Sequence, residues 1–138
     1  VYKRQLQASE NPVYYVQYAH ARIHSIGRRA AERGIERQAL DTIDLGVLEH
    51  ERELDLLRQL SGFSEMLEAA CNDRAPHKVT NWVRELAGAY HGFQHDCPVL
   101  RDDVEPSLQQ ARLWLVEATR VGLSIALDLL GVDAPEEM

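Results

Sequence analysis

The sequence predicts an all-α protein, a helical bundle of four or five helices. Apolar residues recur at spacings of three and four, which is the period of a helix, and no segment sustains the period-two alternation of a strand. Prolines and glycines also stand where helices can begin and end. A length of 138 residues suits one domain with a real core. We assign residues 1–138 to that domain, with 1–10 as a linker or entry segment and 132–138 as a C-terminal tail.

The first helix is predicted to run from Pro12 to about Glu32. Asn11 can cap it, proline is tolerated at the first helical position, and Gly34 can end it. One apolar row of this helix is expected to face the core. Its members are Val16, Ala19, Ile23, Gly27 and Ala30.

Two helices are predicted in the middle of the chain. The second covers Leu45 to Leu60 and ends at Gly62. Ser64 is placed to cap a short third helix that runs through Ala70.

Two longer helices are predicted to follow. Pro76 opens the fourth helix, which ends in a loop at Asp96–Asp103, and Pro106 begins a final helix that ends near Gly131. The final helix carries a predicted packing seam with alternating steps of four and three. Its members are Ala111, Leu115, Ala118, Gly122, Ile125 and Leu129.

The charge is unevenly distributed. The net charge of −7 argues against a nucleic-acid partner, because phosphates attract a basic surface. Residues 1–37, however, hold seven basic and three acidic side chains, a net +4, which leaves −11 for residues 38–138. One local basic surface on an acidic body is compatible with this pattern.

Other features bear on location and processing. No apolar run approaches the roughly 20 residues that span a bilayer, and the start does not resemble a signal peptide. The first residue is Val1, which predicts a fragment of a longer protein. Cys71 and Cys97 are too few for a disulfide framework, so we expect reduced thiols, a cytoplasmic protein and no membrane partner.

One face of the first helix stands apart from its apolar row. Tyr14, Tyr18, Arg22 and Arg29, here called the tyrosine–arginine face, project within about 80° of one another on an ideal helix. Tyr15 and Arg33 lie just beyond its edge. Unpaired RNA bases stack on aromatic rings while arginines contact phosphates or base edges. From spacing alone, tyrosines packed at a domain border and solvated arginines explain the pattern equally well.

Metal-binding or catalytic roles for other residues have weaker support in the sequence. The pairs His20/His24 and His91/His95 have zinc-compatible spacing, but no four-ligand set is complete, so we expect no metal. Cys97 with His95 lacks an orienting third group, so no catalytic residue is assigned. We expect the remaining acidic and tryptophan residues to be structural. Asp102, Asp103 and Glu105 are read as a solvated helix start, Glu49, Glu51, Glu53 and Asp55 as a solvated face, and Trp82 and Trp114 as core.

Three segments resemble one protein family. Residues 11–22, NPVYYVQYAHAR, are similar to the opening of the C-terminal anticodon-binding (DALR) domain of arginyl-tRNA synthetases. The turn HDCPVL at 95–100, followed by ARL at 111–113, and the end LDLLGVDAPEEM at 127–138 resemble the same family. The three matches occur in the family's order and cover nearly the whole chain.

The resemblance implies a helical bundle that grips the anticodon stem and loop of tRNA(Arg). In this family the tyrosine and arginine of the QYAHxR segment face the anticodon loop, and here they are Tyr18 and Arg22. The terminal methionine also lies near the anticodon, and here it is Met138. The central cytosine of arginine anticodons is the expected discriminating base. Arg29 is added from its place on the tyrosine–arginine face alone.

Two positions depart from the family pattern. Many members carry an aromatic residue where this chain has Gln94, which can hydrogen-bond to RNA instead of stacking. The family commonly ends in Glu-Arg-Met, and Glu137 here replaces the arginine, which removes one positive charge beside the expected RNA site.

The resemblance also implies a parent enzyme, an arginine–tRNA ligase whose catalytic domain is a further partner. The His-Ile-Gly-His and Lys-Met-Ser-Lys motifs of that catalytic domain do not occur in this sequence. We therefore expect no aminoacylation by this chain alone and no cofactor in this domain, with ATP and magnesium belonging to the catalytic domain. The alternatives are a helical protein-docking module without RNA binding and an anticodon-binding domain of another class I synthetase.

Overall fold

The computed structural model describes residues 11–138, which form an all-α bundle of five helices and contain no strand. The expectation for residues 1–10 lies outside this range. Two single 3₁₀ turns, Leu40–Thr42 and Leu45–Val47, precede α2. The helices are α1 (Pro12–Glu32), α2 (Glu51–Ser61), α3 (Phe63–Asn72), α4 (His77–Asp96) and α5 (Pro106–Leu129).

Helix α4 lies at the centre of the bundle and packs against each of the other four helices. Its inward row is large and apolar, since Trp82, Leu86, Tyr90 and Phe93 are all buried. Burying such side chains is the main favourable contribution to folding. Helix α1 packs along α4, and the candidate site lies on these two helices, the turn after α4 and the end of the chain.

Both ends of α1 follow the predicted chemistry. Asn11 Oδ1 accepts a hydrogen bond from the Val13 N–H at 3.1 Å, and Pro12 occupies the first helical position. At the other end Gly34 has φ +69°, and Ile35 N–H donates to Ala30 O at 2.8 Å. This pattern is a Schellman motif, in which a left-handed residue, usually glycine, ends the helix.

The predicted starts of α2 and α3 are wrong. Helix α2 begins at Glu51 and not at Leu45, because His50 and Glu53 cap it reciprocally. His50 Nδ1 accepts from Arg52 N–H at 3.0 Å, and Glu53 Oε1 accepts from His50 N–H at 2.9 Å. Ser64 lies inside α3 and caps nothing, because Gly62 keeps helical angles and alone separates α2 from α3.

Parts of the predicted apolar rows are also wrong. On α1, Gly27 is exposed and Ile26 is buried in its place. On α5, Ala111 and Leu115 are buried as predicted, but Ala118, Ile125 and Leu129 are exposed. In the C-terminal half of α5, Gly122 is the one member of the predicted row that approaches the core, and a Cβ at this position would lie 3.1 Å from Leu86 Cδ2. The buried row of this half consists of Thr119, Leu123, Ala126 and Leu127.

The expectation that Glu53 belongs to a solvated face is wrong. Glu53 and Arg112 are 1% and 8% exposed, and Arg112 Nε lies 2.8 Å from Glu53 Oε2. Arg112 Nη1 also donates to Pro98 O at 2.6 Å. A buried charge must be paired and hydrogen-bonded, and this network links α2, α5 and the turn after α4.

The two tryptophans differ. Trp82 is buried as predicted, whereas Trp114 is only partly buried and lines a surface groove. Its Nε1 donates to Gln38 O at 2.8 Å, and the Arg37 guanidinium carbon lies 4.8 Å from the centre of its ring system. No helix among residues 11–138 is both long enough and apolar enough to cross a bilayer.

Candidate nucleic-acid interface

The tyrosine–arginine face forms a continuous surface along α1. The ring centroids of Tyr14 and Tyr18 are 6.3 Å apart with an interplanar angle of 24°. The Arg22 guanidinium carbon lies 5.7 Å from the centroid of the Tyr18 ring. Tyr18 is 36% exposed, so part of this side chain is accessible to solvent beside the Arg22 guanidinium.

His91 on α4 extends this surface, and the sequence pattern does not identify it as part of the site. Its ring lies 4.8 Å from the Tyr15 ring and 6.2 Å from the Tyr18 ring. Burial lowers the pKa of His91, and the Arg22 charge lowers it further. The His91 ring is therefore neutral at pH 7 and packs beside the rings of Tyr15 and Tyr18. Only the packing of α4 against α1, which spacing does not reveal, could have placed it there.

Two clefts flank Arg22. The first, here the α4-side cleft, has a volume of about 370 Å³ and lies between α1, the end of α4 and the turn at 97–101. Its polar lining includes the predicted residues Arg22, Arg29 and Gln94. Arg33 and Arg101 also line it, so four guanidinium groups surround one concave surface.

The second, here the tail-side cleft, has a volume of about 360 Å³. It lies between α1 and the end of the chain, and it brings together the predicted residues Tyr18, Arg22 and Met138. Glu136 and Glu137 line the same cleft, so it offers carboxylate acceptors beside the cations Arg22 and Arg28. Of the six predicted site residues only Tyr14 lines neither cleft, and it joins the site through its contact with Tyr18.

Three side chains of α1 hold the tail in place through its backbone carbonyls. Gln17 Nε2 donates to Asp133 O at 2.8 Å, and Arg28 Nη1 donates to Glu136 O at 3.4 Å. His20 Nδ1 lies 2.8 Å from Pro135 O. Since a carbonyl only accepts, Nδ1 must carry the proton. Met138 is therefore positioned by α1 and is 44% exposed.

The arginines of the α4-side cleft are not equally available to an anion. Arg33 pairs with Asp102, and Arg101 pairs with Asp103, whose pKa the Arg101 hydrogen bond lowers. Neither Arg22 nor Arg29 pairs with a carboxylate among residues 11–138. These two cations are the ones whose charge a bound phosphate would meet directly.

The structure gives no support to a histidine metal site or to Cys97 as a nucleophile. The rings of His20 and His24 lie 4.9 Å apart, but no three His, Cys, Asp or Glu side chains of residues 11–138 are grouped to hold a metal ion. Burial raises the pKa of the Cys97 thiol, the opposite of the shift that activates a nucleophile. His95 pairs with Asp96 at the surface.

Comparison with known proteins supports the pattern seen in the sequence. The family model described as the DALR anticodon binding domain matches residues 16–138. The chain is 52% identical over 134 residues to an arginine–tRNA ligase of Frankia alni, covering 96% of this chain and 24% of that protein. It is 47% identical over 132 residues to an arginine–tRNA ligase of Carboxydothermus hydrogenoformans, covering 96% of this chain and 23% of that protein. It thus spans about a quarter of the length of these relatives.

A solved structure resembles the fold as well. Arginyl-tRNA synthetase of Thermus thermophilus matches with a TM-score of 0.81 and 34% identity, over 95% of this chain and 22% of that one. The family match covers most of the sequence, and the helical architecture agrees with it. The chain belongs to the DALR anticodon-binding domain family.

Proposed function

We propose that this chain binds the anticodon stem-loop of tRNA(Arg). The observation that carries the proposal is the cleft in which Tyr18 and Arg22 of α1 meet Met138 from the end of the chain. An exposed tyrosine ring offers a stacking surface for an unpaired base, worth about 1–3 kcal/mol. Arg22 and Arg29 supply cations for the loop phosphates.

In a full-length arginine–tRNA ligase this binding would position the tRNA and not perform chemistry. Energy gained at the anticodon end would orient the acceptor end in a separate catalytic domain, where ATP and magnesium support aminoacylation. The catalytic domain is thus the second proposed partner. We place the activity in the cytoplasm, in keeping with the unpaired thiols of Cys71 and Cys97.

The docking-module alternative has less support. It calls for an apolar patch at the tyrosine–arginine face, whereas Arg22 and Arg29 are exposed there. A face that combines tyrosine rings with arginines that form no ion pair among residues 11–138 suits a polyanion with unpaired bases better than an apolar protein partner.

The test measures binding of a labelled arginine-tRNA anticodon stem-loop to the wild-type chain and to two variants. Tyr18→Ala removes the exposed ring, and we expect it to weaken binding by about 1–3 kcal/mol. Arg22→Ala removes the cation shared by both clefts. It should weaken binding more than the loss of one positive charge elsewhere on the surface does.

Arg58→Ala is the matched control for Arg22→Ala. Arg58 is an exposed arginine on α2 that pairs with Asp55, and it lines neither cleft. It changes the net charge by the same amount, so nonspecific attraction falls equally in both variants. If Arg22→Ala and Arg58→Ala weaken binding equally while both stay folded, the proposed site is wrong.

A further inference from the structure

The C-terminal tail lies against α1 and is joined to it through backbone carbonyls. Gly131 has φ +70°, and Val132 N–H donates to Leu127 O at 2.9 Å, so the chain turns sharply at the end of α5. Beyond that turn, side chains of α1 donate hydrogen bonds to three carbonyl oxygens of the tail. Because these contacts use backbone oxygens, they constrain the path of the tail directly.

Among the three contacts, the one made by His20 is the most shielded from water. His20 is 2% exposed, and its Nδ1 lies 2.8 Å from Pro135 O. The contacts made by Gln17, at 2.8 Å, and by Arg28, at 3.4 Å, lie at the surface. Water competes least for a hydrogen bond that it does not reach, so we expect the His20 bond to hold the tail most firmly.

The other ring nitrogen of His20 points to the same bond. Nε2 is buried and has no hydrogen-bond partner among residues 11–138. A buried polar atom without a partner costs stability, and an apolar side chain of similar size would avoid that cost. The polar contribution of the ring is therefore the Nδ1–H bond, and the group that it reaches is the Pro135 carbonyl.

His20 is close in sequence to the candidate binding residues but does not itself line their cleft. It lies between Tyr18 and Arg22 in the sequence of α1, yet these two residues line the tail-side cleft and His20 does not. Pro135, three residues before Met138, links His20 to that cleft. Met138 is 44% exposed there, so a displaced tail would move this side chain away from Tyr18 and Arg22.

We propose that His20 is a positioning residue for the anticodon site. Its Nδ1–H bond to Pro135 O holds the tail against α1 and thereby sets the place of Met138 in the tail-side cleft. His20 raises the affinity for the stem-loop without touching it. The RNA part of this inference rests on the proposed function, whereas the effect on the tail does not.

The position of the tail can be measured by NMR without RNA. The chain has two methionines, Met66 on α3 and Met138, so isotope labelling of the methionine methyl groups gives two signals. Met66 packs against the core and reports on the fold, while Met138 reports on the tail. The variants are His20→Leu, which fills the space but donates nothing, and His20→Gln, whose amide N–H can donate to Pro135 O.

We expect the Met138 signal to move toward the position of an unstructured methionine in His20→Leu and to stay near its wild-type position in His20→Gln. The Met66 signal should stay in place in both variants. An unmoved Met138 signal in His20→Leu would overturn the inference. A displaced Met66 signal would overturn it as well, because the effect would then come from a disturbed core.

Stem-loop binding tests whether His20 acts through Met138. His20→Leu should weaken binding of the arginine-tRNA anticodon stem-loop about tenfold in the wild-type background, with little loss in His20→Gln. In Met138→Ala the same substitution should cost almost nothing more, because the side chain that the tail presents is already gone. Arg29→Ala is the control background, since Arg29 lines the other cleft, and there the full cost of His20→Leu should persist.

The two measurements separate this inference from the proposed function. Equal losses from His20→Leu in the Met138→Ala and Arg29→Ala backgrounds would show that His20 does not act through Met138, and would overturn the inference while leaving RNA binding intact. If the Met138 signal responds as expected but wild type does not prefer the stem-loop to an unrelated hairpin, the tail-positioning role stands and the proposed function fails.

Discussion

At the scale of single residues, Arg22 is the most connected side chain of the site. It lies over the Tyr18 ring, holds the Gln94 amide and lines both clefts. Its charge also lowers the pKa of His91. One arginine thus links the stacking surface to the α4-side cleft. Replacing it should disturb both clefts together, whereas replacing Gln94 should affect one.

The buried histidines predict a stability that falls on acidification. Burial lowers the pKa values of His20 and His91 below the ordinary 6.5. The folded chain therefore binds fewer protons than the unfolded chain, so stability is full above pH 6.5 and declines as pH falls through that value. For His20 the cause is visible, since Nδ1–H already donates to Pro135 O and a second proton would sit on Nε2, which is buried and has no hydrogen-bond partner among residues 11–138.

Urea unfolding at pH 7.5 and pH 5.0 measures this effect. Asp73, Asp96, Asp103 and Glu117 have pKa values lowered below their ordinary values, so they stay ionised across this window and contribute little. In His20→Gln an amide N–H can replace the bond to Pro135 without titrating. We expect a smaller loss of stability in this variant. An equal loss in wild type and variant would show that His20 is not responsible.

Individual site residues were predictable where one helix carried them. The tyrosine–arginine face follows from the helical period, and the family resemblance added Gln94 and Met138. His91 and Arg101 could not be assigned, because they join the site only through packing between elements. The Gln94–Arg22 bond likewise depends on the alignment of α4 with α1, about which a single sequence carries no direct signal.

At the scale of elements, helix ends account for both the successes and the errors. Pro12, Pro106, Gly34 and Gly131 mark ends that the structure confirms, because each fixes or frees the backbone locally. The start of α2 was wrong because a histidine cap is an uncommon signal. The predicted buried row in the C-terminal half of α5 was wrong because apolar residues occupy two rows of this half. Spacing alone cannot say which of the two rows faces the core.

The end of α3 offers a direct prediction. Arg74 has φ +49° and takes the left-handed position that glycine takes after α1 and α5, and Ala75 N–H donates to Ala70 O at 2.9 Å to close the same Schellman motif. A side chain in this conformation costs about 1 kcal/mol relative to glycine. We therefore expect Arg74→Gly to raise the free energy of unfolding by about that amount in chemical denaturation.

Arg84→Gly is the control for this substitution. Arg84 is also an exposed arginine, but it lies inside α4, where glycine should lower the free energy of unfolding by about 1 kcal/mol. The same substitution is thus expected to have opposite signs at the two positions. A loss of stability in Arg74→Gly would contradict the assignment of strain to that backbone conformation.

At the scale of the whole molecule, the fold places a cluster of arginines at the two clefts of a chain whose net charge is negative. The chain carries a net −7, yet the exposed residues Arg22, Arg28 and Arg29 lie on α1, and Arg33 directly follows its end. Each of the four lines one or both of the clefts. This distribution would favour contact of the proposed RNA with one surface, while the negative charge of the remainder would oppose contact elsewhere. Affinity contributed by phosphate contacts falls as salt rises, whereas stacking and hydrogen bonds to bases change less.

The fold class followed from periodicity and helix-end residues, and the family followed from motifs. We propose that this bundle distinguishes an anticodon by its unpaired bases, and affinity for RNA alone does not establish such recognition. Electrostatic attraction by the arginines would bind many hairpins. A discriminating measurement must therefore change one base and leave charge, length and stem unchanged.

That measurement compares two arginine-tRNA anticodon stem-loops at low salt, one with the natural central cytosine of the anticodon and one with that base replaced. We predict a preference for the cytosine form of about tenfold, equivalent to about 1.4 kcal/mol, that persists as salt is raised. Equal, salt-sensitive binding of the two stem-loops, or binding of neither, would contradict the proposed recognition.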